Sequence, residues 1–243
     1  GMGGRLNATV HGMTMYADEA HAVGSFTNGG IRRVARFDSL NWSSIGSFNA
    51  TAYAITTYDG RLVSSGDFTL SDGLPTERIS RIWATWEPLG DGLSGPAYAL
   101  LEYEGLLVAG GSFGTAGGQP VANLALWNGS VWAPLGAGTD GAVRAIAEYN
   151  GQLYVGGDFS MIDGVPANGI ARWNGEEWQA IGGGVSGPVH ALIVHNGELV
   201  VGGSFAEADG LESRNWARLK CVFCPGDLTG DLMVDQKDLG VLL

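Results

Sequence analysis

Residues 154–159, with the sequence YVGGDF, place two glycines and an acidic side chain at the end of an apolar stretch. Glycine-rich turns of this kind bring backbone N–H groups close to phosphates, so the stretch could cradle a nucleotide. The pattern recurs, however, as AVGSF, VSSGDF, VAGGSF, VGGDF and VGGSF. The successive phenylalanines, from Phe26 to Phe205, are 42, 45, 46 and 46 residues apart. A structural repeat must recur in this way and a catalytic loop seldom does, which favours a structural role.

Aspartates of the repeat loops are the second group whose chemistry matters: Asp72, Asp91, Asp140, Asp163 and Asp209. We expect these loops to share one face, where two carboxylates about 5–10 Å apart could hydrolyse a glycosidic bond. Aspartate is also a common turn former, and its recurrence at repeat positions favours a turn role. The pattern therefore predicts no catalytic residue.

A third set of oxygen donors lies beyond the repeats, in CPGDLTGDLMVDQKDLGVLL. Positions one, three, five, seven, nine and twelve of a twelve-residue loop are Asp227, Thr229, Asp231, Met233 through its carbonyl, Asp235 and Asp238. This is the spacing at which an EF-hand loop wraps Ca²⁺. Leu232 replaces the glycine of position six, so we expect weak binding. A solvated acidic linker is the alternative.

Cys221 and Cys224, spaced C-x-x-C, are the only cysteines. A redox motif of this spacing should open a helix after a strand in a βαβ setting, and a zinc site needs further cysteines or suitably spaced histidines. We therefore expect a local disulfide at the junction between the repeats and the tail.

The elements that position these residues are short strands. In the unit 143–188, VRAIAEY and QLYVGG flank Asn150-Gly151, and IARW and EWQAIG flank Asn174-Gly175. Asn-Gly is typical of a two-residue type I′ hairpin turn, and we expect the same turn at Asn128-Gly129. Four antiparallel strands per repeat of this length predict the blades of a β-propeller.

The repeats therefore predict an all-β chain with about five blades of an incomplete propeller. The expected blades are residues 10–46, 52–90, 97–136, 143–182 and 189–220, the fifth without its fourth strand. Residues 221–243 form the predicted calcium-loop and helix tail. Upstream sequence, including any signal peptide, is expected to precede the chain.

We expect the residues of the repeated GGDF motif to serve packing and turn formation. Gly156 and Gly157 end the second strand, where we expect a side chain to strike the neighbouring blade. Asp158 is expected to cap its own turn through a side-chain oxygen. Phe159 is expected to fill the seam between blades.

The glycine doublet after the second strand, followed by spaced aromatics such as Trp173 and Trp178, resembles the kelch and galactose-oxidase-central-domain propellers. The sequence LYVGGDF…GVPANGIARWNGEEWQAIG more closely resembles repeats of the fungal cortical polarity-marker family and of secreted bacterial proteins. The resemblance covers residues 10 to about 220 and implies the fold, because propellers host many activities. The tail resembles one half of a type I dockerin.

The composition excludes some classes of binding partner. The 243 residues carry 25 acids and 13 bases, a net charge of −12, which argues against nucleic acid or an anionic membrane as partner. No run of 18 apolar residues is present, so no membrane insertion is expected.

We expect a non-catalytic secreted or cell-surface propeller whose loop face binds a protein or a glycan, with weak calcium binding in its tail. The alternative is a carbohydrate-active enzyme, or its accessory module, in polysaccharide degradation. An enzyme should place carboxylates of raised pKa in a pocket, whereas a binding module should present an aromatic or polar platform.

Overall fold

The computed structural model describes residues 5–220, in which all regular structure is β-strand. Five antiparallel meanders, blades 1 to 5, follow one another along the chain. The first four sheets have four strands, and blade 5 has three within the described residues. The prediction of an all-β chain built from four-stranded antiparallel propeller blades is confirmed.

The strands are numbered in chain order. Blade 1 contains β1 (Val10–Tyr16), β2 (Glu19–Asn28), β3 (Ile31–Phe37) and β4 (Trp42–Ser44). Blade 2 contains β5 (Ala52–Tyr58), β6 (Arg61–Gly66), β7 (Leu70–Ser71), β8 (Leu74–Pro75), β9 (Ile79–Ile82) and β10 (Trp86–Pro88). Blade 3 contains β11 (Ala97–Tyr103), β12 (Leu106–Gly111), β13 (Thr115–Ala116), β14 (Gln119–Pro120), β15 (Leu124–Trp127) and β16 (Trp132–Pro134).

Blades 4 and 5 follow the same plan. Blade 4 contains β17 (Val143–Tyr149), β18 (Gln152–Gly157), β19 (Met161–Ile162), β20 (Val165–Pro166), β21 (Ile170–Trp173) and β22 (Trp178–Ala180). Blade 5 contains β23 (Val189–His195), β24 (Glu198–Gly203), β25 (Glu207–Ala208), β26 (Leu211–Glu212) and β27 (Trp216–Lys220). The pairs β7–β8, β13–β14, β19–β20 and β25–β26 are separate small hairpins between the second and third strands of their blades.

The chain divides into two compact units, Gly1–Leu135 with blades 1 to 3 and Gly136–Leu243 with blades 4 and 5. In the first unit, apolar side chains of blades 1 and 2 form one core cluster and those of blades 2 and 3 form another. In the second unit, a single cluster joins blades 4 and 5. Within each unit, the cores thus lie between the facing sheets of consecutive blades, as in a propeller.

Three of the repeated phenylalanines, Phe68, Phe113 and Phe205, belong to these clusters between blades. The motif phenylalanines are all buried: Phe26, Phe68, Phe113, Phe159 and Phe205. Between blades 1 and 2, Phe68 stacks on Phe48 at 4.2 Å, and the Trp86 indole N–H donates to the carbonyl of Ile45 at 2.9 Å. One aromatic side chain therefore supplies both packing area and a satisfied polar group.

The two kinds of Asn-Gly turn differ. Asn150 and Gly151 both have left-handed φ angles, 52° and 72°, as the type I′ prediction requires. At Asn128 the prediction of a two-residue turn is wrong, because Trp127 pairs with Trp132 and leaves four residues in the turn. The Asn128 side-chain oxygen accepts from the backbone N–H groups of Ser130 and Val131, at 3.0 and 2.9 Å. Asparagine caps this turn instead of entering the left-handed region.

Candidate binding site

The sixth residue of every second strand is a glycine, because a side chain there would collide with the backbone of its own blade. A Cβ on Gly157 would lie 2.0 Å from the carbonyl oxygen of Ala142, which precedes β17 in the same blade. The expectation that this residue faces the neighbouring blade is therefore wrong, whereas it holds for Gly156, whose Cβ would lie 2.4 Å from Val189 of blade 5. The equivalent glycines have the same contact, at 2.0–2.2 Å: Gly24, Gly66, Gly111 and Gly203. The glycine of the motif therefore allows two backbone segments of the same blade to lie close together.

The acid of the motif does not cap its own turn as expected. The Asp158 carboxylate instead accepts two hydrogen bonds from the Arg144 guanidinium, at 2.7 and 2.5 Å. Arg144 is the second residue of β17, so the motif acid reaches across to the first strand of its own blade. A fork-to-fork pair of this kind fixes both side chains.

The second residue of every first strand occupies the same special position. In each blade the register between the first two strands shifts at this residue, which is the extra residue of a β-bulge. The residues concerned are His11, Tyr53, Tyr98, Arg144 and His190. Bulges turn a side chain away from the regular alternation, and they are frequent beside functional sites.

In the first unit these residues form a continuous aromatic row, which we call the first-strand row: His11, Tyr53 and Tyr98. The His11 and Tyr53 rings meet edge to face at 5.3 Å, and the Tyr53 and Tyr98 rings do so at 5.4 Å. His11 is exposed and the two tyrosines are half-buried. Edge-to-face pairs give such a row a defined shape while its outer edges contact solvent.

Polar partners at the motif position hold the row. The Tyr53 hydroxyl donates to the Asp67 carboxylate at 2.6 Å, and a ring nitrogen of His11 lies 3.0 Å from the Ser25 hydroxyl. The hydrogen bond to Asp67 raises the pKa of Tyr53 to about 12, so the phenol is neutral at physiological pH. In the second unit, His190 pairs with Ser204 at 2.9 Å in the same manner.

Sequence reasoning missed this row, although a signal was present. The first strands begin with VHG, AYA, AYA, VRA and VHA, so an aromatic or basic residue recurs fourteen positions before the serine or aspartate of the motif. Aligning the repeats at this position would have found the row. The exposure of these side chains depends on the β-bulge, and the alternation of apolar and polar residues along the strand does not reveal a bulge.

The loop aspartates act as turn residues. Asp72 accepts from the backbone N–H groups of Ser47 and Trp86, at 2.7 and 3.0 Å. Asp163 and Asp209 each accept a backbone N–H from the preceding loop at 2.7 Å. Like Asp72, both have φ near 50°. Backbone amides thus hold these carboxylates in place.

Asp140 belongs to a different repeated contact. Its carboxylate accepts from the backbone N–H groups of Ser160 and Met161 and from the Ser160 hydroxyl, at 2.8, 2.9 and 2.6 Å. These hydrogen bonds lower the pKa of Asp140 below its ordinary value, the Ser160 hydroxyl being the largest cause. Asn49, Ser94 and Ser186 make the equivalent contact in other blades. Asp91, the remaining member of the predicted set, is exposed.

The predicted calcium ligands, Asp227 to Asp238, and the predicted disulfide, Cys221 with Cys224, lie outside the described residues. Within residues 5–220, no group of three or more His, Cys, Asp or Glu side chains is arranged to hold a metal ion. The same range contains no helix long and apolar enough to cross a membrane.

Comparison with known proteins agrees with this geometry. A family model described as "Domain of unknown function (DUF5122) beta-propeller" matches residues 150–175, which include the GGDF motif of blade 4. The fold is that of β-propeller blades. No curated protein matches the chain.

Two solved structures are similar. The extracellular domain of the putative hybrid two component system BT4673 from B. thetaiotaomicron aligns with a TM-score of 0.55 and 14% identity over 86% of this chain. The chain spans 26% of that protein. The computationally designed Ika8 protein aligns with a TM-score of 0.47 and 13% identity, over 89% of this chain and 78% of that one.

Proposed function

We propose that this chain is a non-catalytic extracellular propeller module that binds a protein or a glycan through the first-strand row. The observation that carries the proposal is the row itself, in which His11, Tyr53 and Tyr98 contact one another at bulges of consecutive blades. Rigid aromatic side chains with polar tips provide contact area at low cost in conformational entropy.

The loop carboxylates support a non-catalytic role. A glycosidase needs an acid whose pKa is raised and a second carboxylate facing it. Asp72, Asp163 and Asp209 are instead bonded to loop amides, and the pKa of Asp140 is lowered by its hydrogen bonds. These contacts favour binding over carbohydrate hydrolysis, the alternative from the sequence.

An extracellular location is part of the proposal. The similar structure from B. thetaiotaomicron is described as an extracellular domain, and a net charge of −12 suits an exposed, soluble module. The resemblance of the repeats to those of secreted bacterial proteins also supports this location.

Calcium binding by the tail remains part of the proposal. Asp227, Asp231, Asp235 and Asp238, with Thr229 and the Met233 carbonyl, supply the spacing of a calcium loop. Affinity in the range of about 10⁻⁴–10⁻³ M is expected, as in other extracellular modules. Calorimetric titration of the full chain with Ca²⁺ tests it: Asp227→Ala should abolish the heat, and Leu232→Gly should increase affinity. Absence of heat in both the wild type and Leu232→Gly would identify an acidic linker.

The binding proposal is tested with a His11→Ala/Tyr98→Ala double variant, which leaves the Tyr53–Asp67 hydrogen bond in place. Wild-type and variant chains are compared on a glycan array and in selection from a displayed peptide library. Trp216→Ala is the matched control, because Trp216 is exposed but lies in the third strand of blade 5. We expect the double variant to lose binding by about tenfold or more and the control to retain it.

Two outcomes would overturn the proposal. Release of new reducing ends from any bound saccharide would identify an enzyme. Equal binding by the wild type and the double variant would show that the row is not the binding surface.

A further inference from the structure

A recess lies at the other end of β1 and β5 from the first-strand row. It has a volume of about 370 Å³ and is bordered by the β1–β2 turn, the β5–β6 turn and the residue that follows β9. Tyr16, Glu19, His21, Arg36, Arg61 and Trp83 are among its lining residues, and we call it the Trp83 pocket. Its volume falls within the range of roughly 300–1,000 Å³ usual for small-molecule sites.

The pocket forms where blade 1 differs from blade 4 in the second strand. His21 is the third residue of β2, and the equivalent residue in blade 4 is Tyr154. The Tyr16–His21 rings meet at 5.7 Å and 71°, and the Tyr149–Tyr154 rings meet at 5.8 Å and 61°. The two pairs have the same geometry, but the imidazole lacks the phenol's outer atoms. Blade 1 therefore leaves space that a tyrosine side chain would occupy.

A departure from the repeat in blade 2 places Trp83 at the rim. Asn128 and Asn174 follow the third strands of blades 3 and 4 and cap their turns through side-chain oxygens. Trp83 stands at that position in blade 2, has no such oxygen and is 64% exposed. Its side chain therefore adds nothing to the turn comparable to the asparagine cap. A large indole exposed beside a recess is typical of a ligand contact.

Charged neighbours hold the rim in place. The Arg61 guanidinium carbon lies 3.5 Å from the centroid of the Trp83 ring, and Arg61 also pairs with Asp59 at 3.4 Å. Two further lining residues, Arg36 and Glu19, form an ion pair at 3.3 Å. A cation over the ring restrains the indole. Two guanidinium groups matched by two carboxylates favour neither an anionic nor a cationic ligand.

His21 adds a hydrogen-bond acceptor. Its Nδ1–H donates to the backbone carbonyl of Glu19 at 3.1 Å, which fixes this tautomer and leaves a lone pair on Nε2. The side chain is 4% exposed, and burial lowers the pKa of its imidazole, so the ring is neutral at pH 7. The pocket thus combines an acceptor nitrogen, a donor guanidinium and an acceptor carboxylate with an aromatic surface.

We propose that the Trp83 pocket binds a neutral pyranose sugar, a site that rests on the proposed binding role. The C–H face of a sugar ring packs on the indole, and each hydroxyl both donates and accepts. The Glu19–Arg36 pair offers an acceptor and a donor side by side for neighbouring hydroxyls, and charge-assisted hydrogen bonds of this kind are strong. His21 Nε2 accepts from a further hydroxyl.

Saturation-transfer NMR on the full chain, with methyl glucopyranoside, galactopyranoside and mannopyranoside as probes, tests the proposal. At least one glycoside should receive saturation, strongest at the ring protons of the face that packs on Trp83. Trp83→Ala should raise its millimolar dissociation constant by about tenfold or more. His21→Tyr, which introduces the residue that blade 4 uses, should fill the pocket and abolish binding without unfolding the chain.

Trp216→Ala is the matched control, because Trp216 is also exposed and has Arg218 near its ring, at 5.9 Å. This variant and the His11→Ala/Tyr98→Ala double variant should keep the glycoside contact. Absence of saturation transfer to every glycoside, or a contact that survives Trp83→Ala, would overturn the proposal that the Trp83 pocket binds a sugar. Neither result would bear on the first-strand row, which the double variant tests separately. New anomeric signals from a cleaved glycoside would overturn the non-catalytic role while the pocket stood.

Discussion

Two positions of the second strand, three residues apart, follow opposite rules in the blades. The sixth residue of the strand is glycine in all five: Gly24, Gly66, Gly111, Gly157 and Gly203. The third residue of the strand varies: His21, Val63, Val108, Tyr154 and Val200. The glycine contacts a fixed carbonyl of its own blade, whereas the third residue meets side chains that differ between blades. The constant position therefore reflects backbone geometry. At the varying position, His21 of blade 1 lines the Trp83 pocket.

The largest effect is expected at the constant position. In Gly157→Val, the new Cβ would lie 2.0 Å from the Ala142 carbonyl oxygen, so β17 or β18 must shift. We expect a loss of about 3 kcal/mol or more in the free energy of unfolding, measured by chemical denaturation. The φ of Gly157 is not left-handed, so the clash alone causes the loss.

Gly202→Ala is the control for that prediction, because the nearest heavy atom to its added Cβ is 3.9 Å away. This variant should change stability by less than about 1 kcal/mol. Equal stability of Gly157→Val and the wild type would show that the glycine column is not structural.

An exchange between blades 1 and 4 tests the varying position. Tyr154 is completely buried, so Tyr154→His should leave a cavity and cost about 2 kcal/mol in thermal or chemical unfolding. His21→Tyr should cost less than about 1 kcal/mol, because the Trp83 pocket offers the phenol room. Equal losses in the two variants would contradict the difference in packing between the two blades.

The smallest effect concerns pH and the first-strand row. The pKa of Tyr53 is about 12 in the folded chain, against about 10 for an unperturbed tyrosine. Its contribution to stability is therefore complete below pH 10 and is lost as the pH rises towards 12. The stability difference between the wild type and Tyr53→Phe should shrink across this range. A constant difference would show that the hydrogen bond to Asp67 does not control the titration.

The turns show how far local sequence could predict structure. Asn150-Gly151 forms the expected two-residue turn because the strands on either side pair up to its edges. Asn128-Gly129 has the same two residues, yet the Trp127–Trp132 pair sets a four-residue turn. Strand register, a long-range property, decided between the two conformations open to the same dipeptide.

The candidate site was less predictable than the fold. The loop aspartates were recognised as turn residues because they recur at repeat positions, and Asp72 behaves in that way. The first-strand row was missed, because a bulge rather than alternation exposes its side chains. Asp158 was assigned to its own turn because the sequence does not indicate that Arg144, fourteen residues away, lies within hydrogen-bond distance.

The sequence by itself determined the repeat, the antiparallel blades and the buried phenylalanine column, because periodic apolar residues and hairpin signals act locally and recur. Only the tertiary structure decided what each departure from the repeat does. His21 and Trp83 are 62 residues apart in the chain, and packing of blade 1 against blade 2 brings both into the lining of one recess. Such proximity depends on how strands of different blades meet, and no local pattern of residues encodes that distance.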